Sequence, residues 1–307
     1  RQAAAEGPDD GRPRDALAEF FAARGRWDEA AQAVEEYLRL RPGEPAAAKR
    51  LVLYRIEAGQ YDQAAAPLDR VLADAPADAE ALALKGLLAM KRGQMDQARA
   101  PLDRAIQISP AYPVPLLYRA QWFLAQGQRE RARADLDAAR DALPGNPQAA
   151  MQVAAAYERL GDPAGAESVY QDLLGRDKGN AAAIRELIRL YFQQSRWALL
   201  EGLLADARKT HPAAAAYPLA EGRMWQARGN HAKRAAALAE AHRLAGESAA
   251  VLAEYLAALL DAGDYAKVQT VAGASANRPG WGPWLAAFRA HALLKAGSNP
   301  EADGLFA

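Results

Sequence analysis

Apolar residues recur along this chain at the three- and four-residue spacing that lines one face of a helix, in paired stretches of about a dozen residues each. Leu17 with Phe21, Leu116 with Phe123, Val153 with Tyr157 and Leu187 with Tyr191 mark such stripes on the first stretch of their pairs. Val, Ile and Thr are sparse and Ala is abundant, so the pattern favours closely packed helices over strands. The elements predicted are short amphipathic helices, two by two, over nearly the whole chain.

The pairs keep a fixed period. Glycines stand at Gly25, Gly59, Gly93, Gly127, Gly161, Gly229, Gly263 and Gly297, all on one grid of thirty-four positions, with Ser195 in the one remaining slot. At a background of ~7% glycine, eight hits in nine preset slots arise by chance about once in 10⁸. Other landmarks keep the phase. Trp27, Tyr61, Met95, Trp197 and Tyr265 follow two residues after a slot. Ala30, Ala64, Ala98, Ala132, Ala166 and Ala302 follow five after, and Pro42, Pro76, Pro110, Pro144 and Pro212 seventeen after. Each landmark has a physical role. The glycine relaxes the end of the first helix, the small residue lets the second approach it, and the proline ends the unit. Pro45, Pro113, Pro147 and Pro283 stand where first helices begin, a favoured place for proline. A unit that cannot bury its apolar face alone must stack on the next. Several slots depart from the pattern: Lys178 replaces the proline, Arg234 and Val268 replace the small residue, and Pro218 is expected to delay a first helix. Asn277–Trp284 forms a Gly-Pro-rich joint.

This period and these landmarks resemble the tetratricopeptide repeat, as "Gly-Gln-Tyr-Asp-Gln-Ala" at 59–64 and "Gly-Gln-Met-Asp-Gln-Ala" at 93–98 do most closely. The resemblance implies an all-α, right-handed TPR-like α-solenoid of about nine antiparallel helix pairs. Residues 1–10 read as the tail of a preceding repeat, because Pro8 lies one period before Pro42. Residues 11–280 read as eight repeats, and 281–307 as the start of a ninth, truncated one. Leu305 and Phe306 would then face a further repeat, and the chain is expected to be a fragment of a longer protein.

In the family the first helix of each repeat lines a concave groove, through roughly its second, fifth, ninth and twelfth positions. Carried over by register, the early repeats supply Leu53, Ile56, Leu87, Met90, Val114, Leu117, Gln121, Leu124 and Met151. Later repeats supply Arg185, Arg189, Phe192, Arg223 and Gln226. The expected occupant is a protein or peptide segment, with apolar anchors near Leu87, Met90 and Leu124 and a carboxylate or acidic stretch on the arginines, whose planar forks suit carboxylates. The plain alternative is that the apolar residues pack between neighbouring first helices and the arginines are solvated or paired with Glu186 and Glu221. The family's carboxylate clamp also needs asparagines that are absent here, so chaperone-tail binding is not implied. Trp225 reads as core. Of Trp281 and Trp284, at least one reads as the apolar plug of the joint.

Charge narrows the picture. Lys and Arg number 38, as do Asp and Glu, so the balance gives no case for nucleic acid or an anionic membrane. With no cysteine, disulfides and thiolate chemistry are excluded. His211, His231, His242 and His291 have no metal-ligand spacing, and no nucleophile elbow, phosphate loop or dinucleotide motif is present. No enzyme and no cofactor are expected, and no direct membrane insertion. The sequence reading is therefore an interaction scaffold, from the Ala/Arg-rich composition a bacterial one, within an envelope, secretion or polysaccharide-export protein. Two alternatives stand beside it: the recruiting array of a larger glycosyltransferase or sulfotransferase, and an elongated spacer. The compartment is left open by the sequence, between bacterial periplasm and cytoplasm, with the periplasm slightly favoured.

Overall fold

The structure, a computed structural model, describes residues 12–143, 146–298, 301–302 and 305, without the side chains of Arg12 and Pro13. The expected tail at 1–10, the proline slot at Pro144 and the expected exposure of Phe306 lie outside these residues. Among the described residues there are seventeen α-helices and no strand, so the chain is an all-α solenoid of helix pairs. It divides into two compact units, residues 1–169 and 170–307.

The first unit contains α1 (Arg12–Ala22), α2 (Trp27–Leu40), α3 (Pro45–Glu57), α4 (Tyr61–Asp74), α5 (Ala79–Lys91), α6 (Met95–Ile108), α7 (Pro113–Ala125), α8 (Arg129–Asp141) and α9 (Pro147–Leu160). Helix α10 (Pro163–Arg176) spans the division. The second unit contains α11 (Ala181–Gln193), α12 (Trp197–Thr210), α13 (Ala216–Ala227), α14 (His231–Ala245), α15 (Ala249–Asp261), α16 (Tyr265–Ser275) and α17 (Gly282–Lys295). The second helices begin at Trp27, Tyr61, Met95, Arg129, Pro163, Trp197, His231 and Tyr265, each one full period after the last. Helix α13 starts one residue behind the frame set by Ala181 and Ala249, with Pro218 in its first turn.

The turn between paired helices is the same hydrogen-bonded device at every slot. In the second repeat Gln60 N–H donates to Arg55 O (2.8 Å) and Gly59 N–H to Ile56 O (3.0 Å), the pair of bonds that closes a left-handed helix end. Slot glycines have φ between 68° and 84°, and Ser195 has φ 55°, the one positive-φ non-glycine among the described residues. Side-chain caps open several helices. Asp78, Asn146 and Asn180 accept from the amides of Ala81, Ala149 and Ala183 at 2.9–3.0 Å.

Packing follows from residue size. Ala30, Ala64, Ala98, Ala132 and Ala166 are completely buried. Gly86 on α5 takes the side chain of Leu102 on α6, and Gly222 on α13 that of Leu238 on α14. Stacking also overrides local propensity: Pro67 and Pro101 sit inside α4 and α6, where each removes one helical bond. Cores run from repeat to repeat. Val52, Ile56, Leu68, Leu84, Leu87 and Leu88 form one cluster in the first unit. Leu238, Leu252, Leu256, Leu259, Val268 and Leu285 form another in the second, with Trp281, Trp284 and Phe288 half-buried against it. Arg119 on α7 braces two second helices, reaching Asp103 of α6 (2.8 Å) and the buried Asp135 of α8 (2.7 Å).

Candidate functional site

In the first unit the family register places groove residues on α3, α5, α7 and α9. Ile56, Leu87 and Leu117 are buried, and Ile56 and Leu87 belong to the cluster described above. Ile56 and Leu87 pack between repeats and Leu117 is out of solvent too, which leaves the surface to the half-buried Leu53, Met90, Val114, Gln121, Leu124 and Met151. A separate cleft of about 530 Å³ lies between α2, α3 and α4, lined by Leu38, Pro42, Pro45, Leu51, Pro67 and Val71 among others and by none of the groove-register residues.

The second unit holds the charged positions. Arg185 and Arg189 lie one turn apart on α11 and share Glu186, at 3.3 and 2.9 Å, while Arg189 Nη1 also donates to Gln193 (3.2 Å). Burial raises the Glu186 carboxyl, but the bonds from Arg189 and Arg185 outweigh it and hold the group below its usual range. Arg223 on α13 does not use Glu221. Its Nη2 donates to Glu254 of α15 at 2.9 Å, and Glu221 accepts instead from Arg208 (2.8 Å) and from Trp225 Nε1 (3.4 Å). Sequence reasoning misses this because the Arg223 partner lies one repeat further on. Trp225 itself is core.

Phe192, Arg223 and Gln226 come together in one pocket. It has a volume of about 600 Å³ and is completed by Ala227, Arg234 and Glu254. Phe192 keeps 36% of its surface exposed and meets Trp197 edge-on at 5.4 Å. Arg185 and Arg189 do not line it. The residue that the groove register overlooks is Arg234, which belongs to a second helix. Its one signal in the sequence is a charge where an alanine is expected. Arg234 Nη1 donates to Asp261 at the end of α15. The pocket thus offers an aromatic face, two guanidinium groups, one carboxylate and an amide, chemistry suited to binding. Among the described residues no group of three or more His, Cys, Asp or Glu is placed to hold a metal ion, and no helix is long and apolar enough to cross a membrane.

Comparisons with known proteins agree on the architecture. A tetratricopeptide-repeat family profile matches residues 49–113 and 119–181. No curated protein matches the chain. Among solved structures, it is similar to "Naa15/Naa10 bound to HypK-THB", with a TM-score of 0.53, 16% identity, and coverage of 81% of this chain and 39% of that one. Similarity to the "APC/C hetero-tetramer Cut9-Hcn1" has a TM-score of 0.50 at 14% identity, over 99% of this chain and 56% of that one. The chain therefore spans well under two thirds of the length of either. TTC0263, a thermophilic TPR protein of Thermus thermophilus, matches at a TM-score of 0.49 and 21% identity, over 60% of this chain and 100% of that one. At 16% and 14% identity the likeness to the first two bears on the fold alone.

Proposed function

Since the chain is a multi-repeat tetratricopeptide-repeat protein, we propose that it holds a segment of another protein on the face formed by the first helices of its repeats. Proteins of this fold generally mediate protein–protein interactions, and they are typically scaffolds rather than enzymes. One observation carries the reading to particular residues: Phe192, Arg223 and Gln226, which belong to the groove register, border a single open pocket. In the first unit Met90, Leu124 and Met151 are the candidate apolar contacts, with Gln121 between them; Leu87 and Leu117 support them from the core. Arg185, whose side chain is largely exposed, and Arg189, half-buried beside it, are candidates for an acidic stretch of the partner, which would compete with Glu186 for them. The finer setting, a bacterial envelope protein for secretion or polysaccharide export, rests on composition and family resemblance.

Hydrogen exchange tests the reading. A library of random dodecapeptides is selected on the full chain, and the best binder is added in excess. Added protection is expected on first helices, α5, α7 and α9 or α11 and α13. Phe192→Glu or Met90→Glu should weaken binding at least tenfold, and Leu199→Glu, an exposed second-helix residue, should not. Protection confined to second helices would overturn the proposal. Were the array only a spacer, groove substitutions would leave its function intact while deletion of a whole repeat would not.

A further inference from the structure

Arg234 stands where the repeat frame puts a fully buried alanine in Ala30, Ala64, Ala98, Ala132 and Ala166, and an apolar Leu200 or Val268 in two other repeats. It is itself only 6% exposed. A buried guanidinium is tolerable when its N–H groups are satisfied, since each unpaired donor out of water is costly. That condition is not met here: Nη1 goes to Asp261, and Nε is buried with no hydrogen-bond partner among the described residues. Arg55 in the first unit shows the contrast. It is equally buried and its Nε is unpaired too, but its Nη1 is taken by Gln60 and its Nη2 by Glu35, so two acceptors close around it. Arg234 has one, and it lines the pocket that contains Phe192.

The neighbouring charges leave a surplus of donors. Arg223 and Arg234 carry ten N–H donors between them. Glu254 takes Nη2 of Arg223 and Asp261 takes Nη1 of Arg234. The Asp261 side chain is 49% exposed and Glu254 also reaches solvent, so either carboxylate can turn to water once a carboxylate of the bound segment takes its place on the guanidinium. Beside these donors lies the exposed ring of Phe192, and the open volume of about 600 Å³ is of the size of ordinary binding clefts.

We propose that Arg234 is the carboxylate anchor of this pocket, receiving the side chain of an Asp or Glu of the bound segment while an adjacent apolar side chain of that segment covers Phe192. The proposal rests on the reading that the first-helix face binds a protein segment, and adds which chemistry is recognised and by which residue. Arg223 is the second donor, and Gln226 contributes an amide at the rim.

The probe is a library of random dodecapeptides displayed with blocked C-termini and selected on the full chain. The selected peptides are expected to share one Asp or Glu next to a large apolar residue. Replacing that acid by its amide in the best synthetic peptide should weaken binding at least tenfold by fluorescence anisotropy. Arg234→Met should weaken the acidic peptide to the same extent and make the amide replacement inconsequential, while Arg234→Lys, which keeps the charge and loses the planar fork, should fall between them. Circular dichroism melting establishes that each variant is folded; if Arg234→Met is not, Arg234→Lys and Phe192→Ser carry the comparison. Selected peptides that bind Arg234→Met, or Arg234→Lys, as well as they bind the unaltered chain would overturn the anchor and leave the groove reading standing. A selection that enriches no peptide at all would overturn both.

Discussion

Leu102 Cγ lies nearer than 3.0 Å to the point where a β-carbon on Gly86 would stand, so these two residues fix how closely α5 and α6 approach. Leu102 is completely buried and cannot step aside. In a helix alanine is worth ~1 kcal/mol over glycine, whereas forcing a methyl into a filled core costs about 1–3 kcal/mol. The steric effect wins at this position. Gly86→Ala should lower unfolding stability in urea titration by an amount on the order of 1 kcal/mol. Gly202 on α12 is the control: it is exposed and a β-carbon there meets nothing within 4 Å. Gly202→Ala should raise stability by roughly 0.5–1 kcal/mol, and an equal response at the two sites would contradict the packing argument.

Ser195 occupies the only one of nine slots without glycine, yet adopts the same backbone, at φ 55°. The paired bonds are in place too, Ser195 N–H to Phe192 O at 3.1 Å and Arg196 N–H to Tyr191 O at 2.9 Å. A left-handed conformation costs a β-carbon-bearing residue ~1–2 kcal/mol. Glycine removes that cost, though it loses ~0.4–1 kcal/mol through a freer unfolded chain. The balance predicts that Ser195→Gly stabilises the protein by about 0.5–1 kcal/mol. A lower denaturation midpoint for the glycine variant would mean that the hydroxyl contributes more than the strain.

The Ser195 turn illustrates what the sequence discloses. Its place in the frame predicts its backbone, because the period is set by chain geometry that every repeat must share. Helix starts, alanine slots and the core role of Trp225 are legible for the same reason. The ion pairs are not. Arg223 reaches Glu254, 31 residues on, and Arg234 reaches Asp261, 27 residues on. Neither separation is a helical spacing or the repeat period, and each depends on how far neighbouring repeats rotate. The burial of Leu87 and Leu117 has a related cause: register assigns a helix face, while the width of the gap between neighbouring first helices decides whether a leucine there meets solvent. Arg234 is visible as an exception to the small-residue slot, but only its surroundings give that exception a role.

Asp78 joins a helix cap to an ion pair, and its acid response separates the two. It accepts from Ala81 N–H at 2.9 Å and from Lys49 Nζ at 2.9 Å, and Lys49 also reaches Glu80 at 2.6 Å. Burial raises its carboxyl, but the bonds from Ala81 and Lys49 outweigh this and leave it below the ordinary value. A folded-state pKa depressed below that of the unfolded chain stabilises the fold at any pH above the unfolded value, roughly 4, and the contribution is lost as pH falls through the folded value. Asparagine caps a helix as well as aspartate does but carries no charge. Asp78→Asn should therefore cost about 1 kcal/mol at neutral pH, and its denaturation midpoint should converge on that of the parent as the pH is lowered from about 4 to about 2. A difference that stays constant over this range would show that the charge contributes nothing.

Arg119 and Arg185 both pair with acids, but burial sets their consequences far apart. The Arg119 guanidinium holds Asp135, whose side chain is 9% exposed, through two bonds, and Asp103 through a third. Arg185 meets Glu186 at 3.3 Å with its own side chain 72% exposed. Removing one partner of a buried pair leaves an uncompensated charge and costs ~3–5 kcal/mol, whereas an exposed pair is worth ~0–1 kcal/mol. Arg119→Ala should therefore lower unfolding stability by about 3 kcal/mol or more, and Arg185→Ala should stay within ~0.5 kcal/mol of the parent. Replacing both members, as Arg119→Met with Asp135→Leu, should recover much of the first loss, because no orphaned carboxylate remains between α7 and α8. A double variant as unstable as Arg119→Ala alone would show that the arginine acts through the packing of its methylene stem rather than by neutralising Asp135.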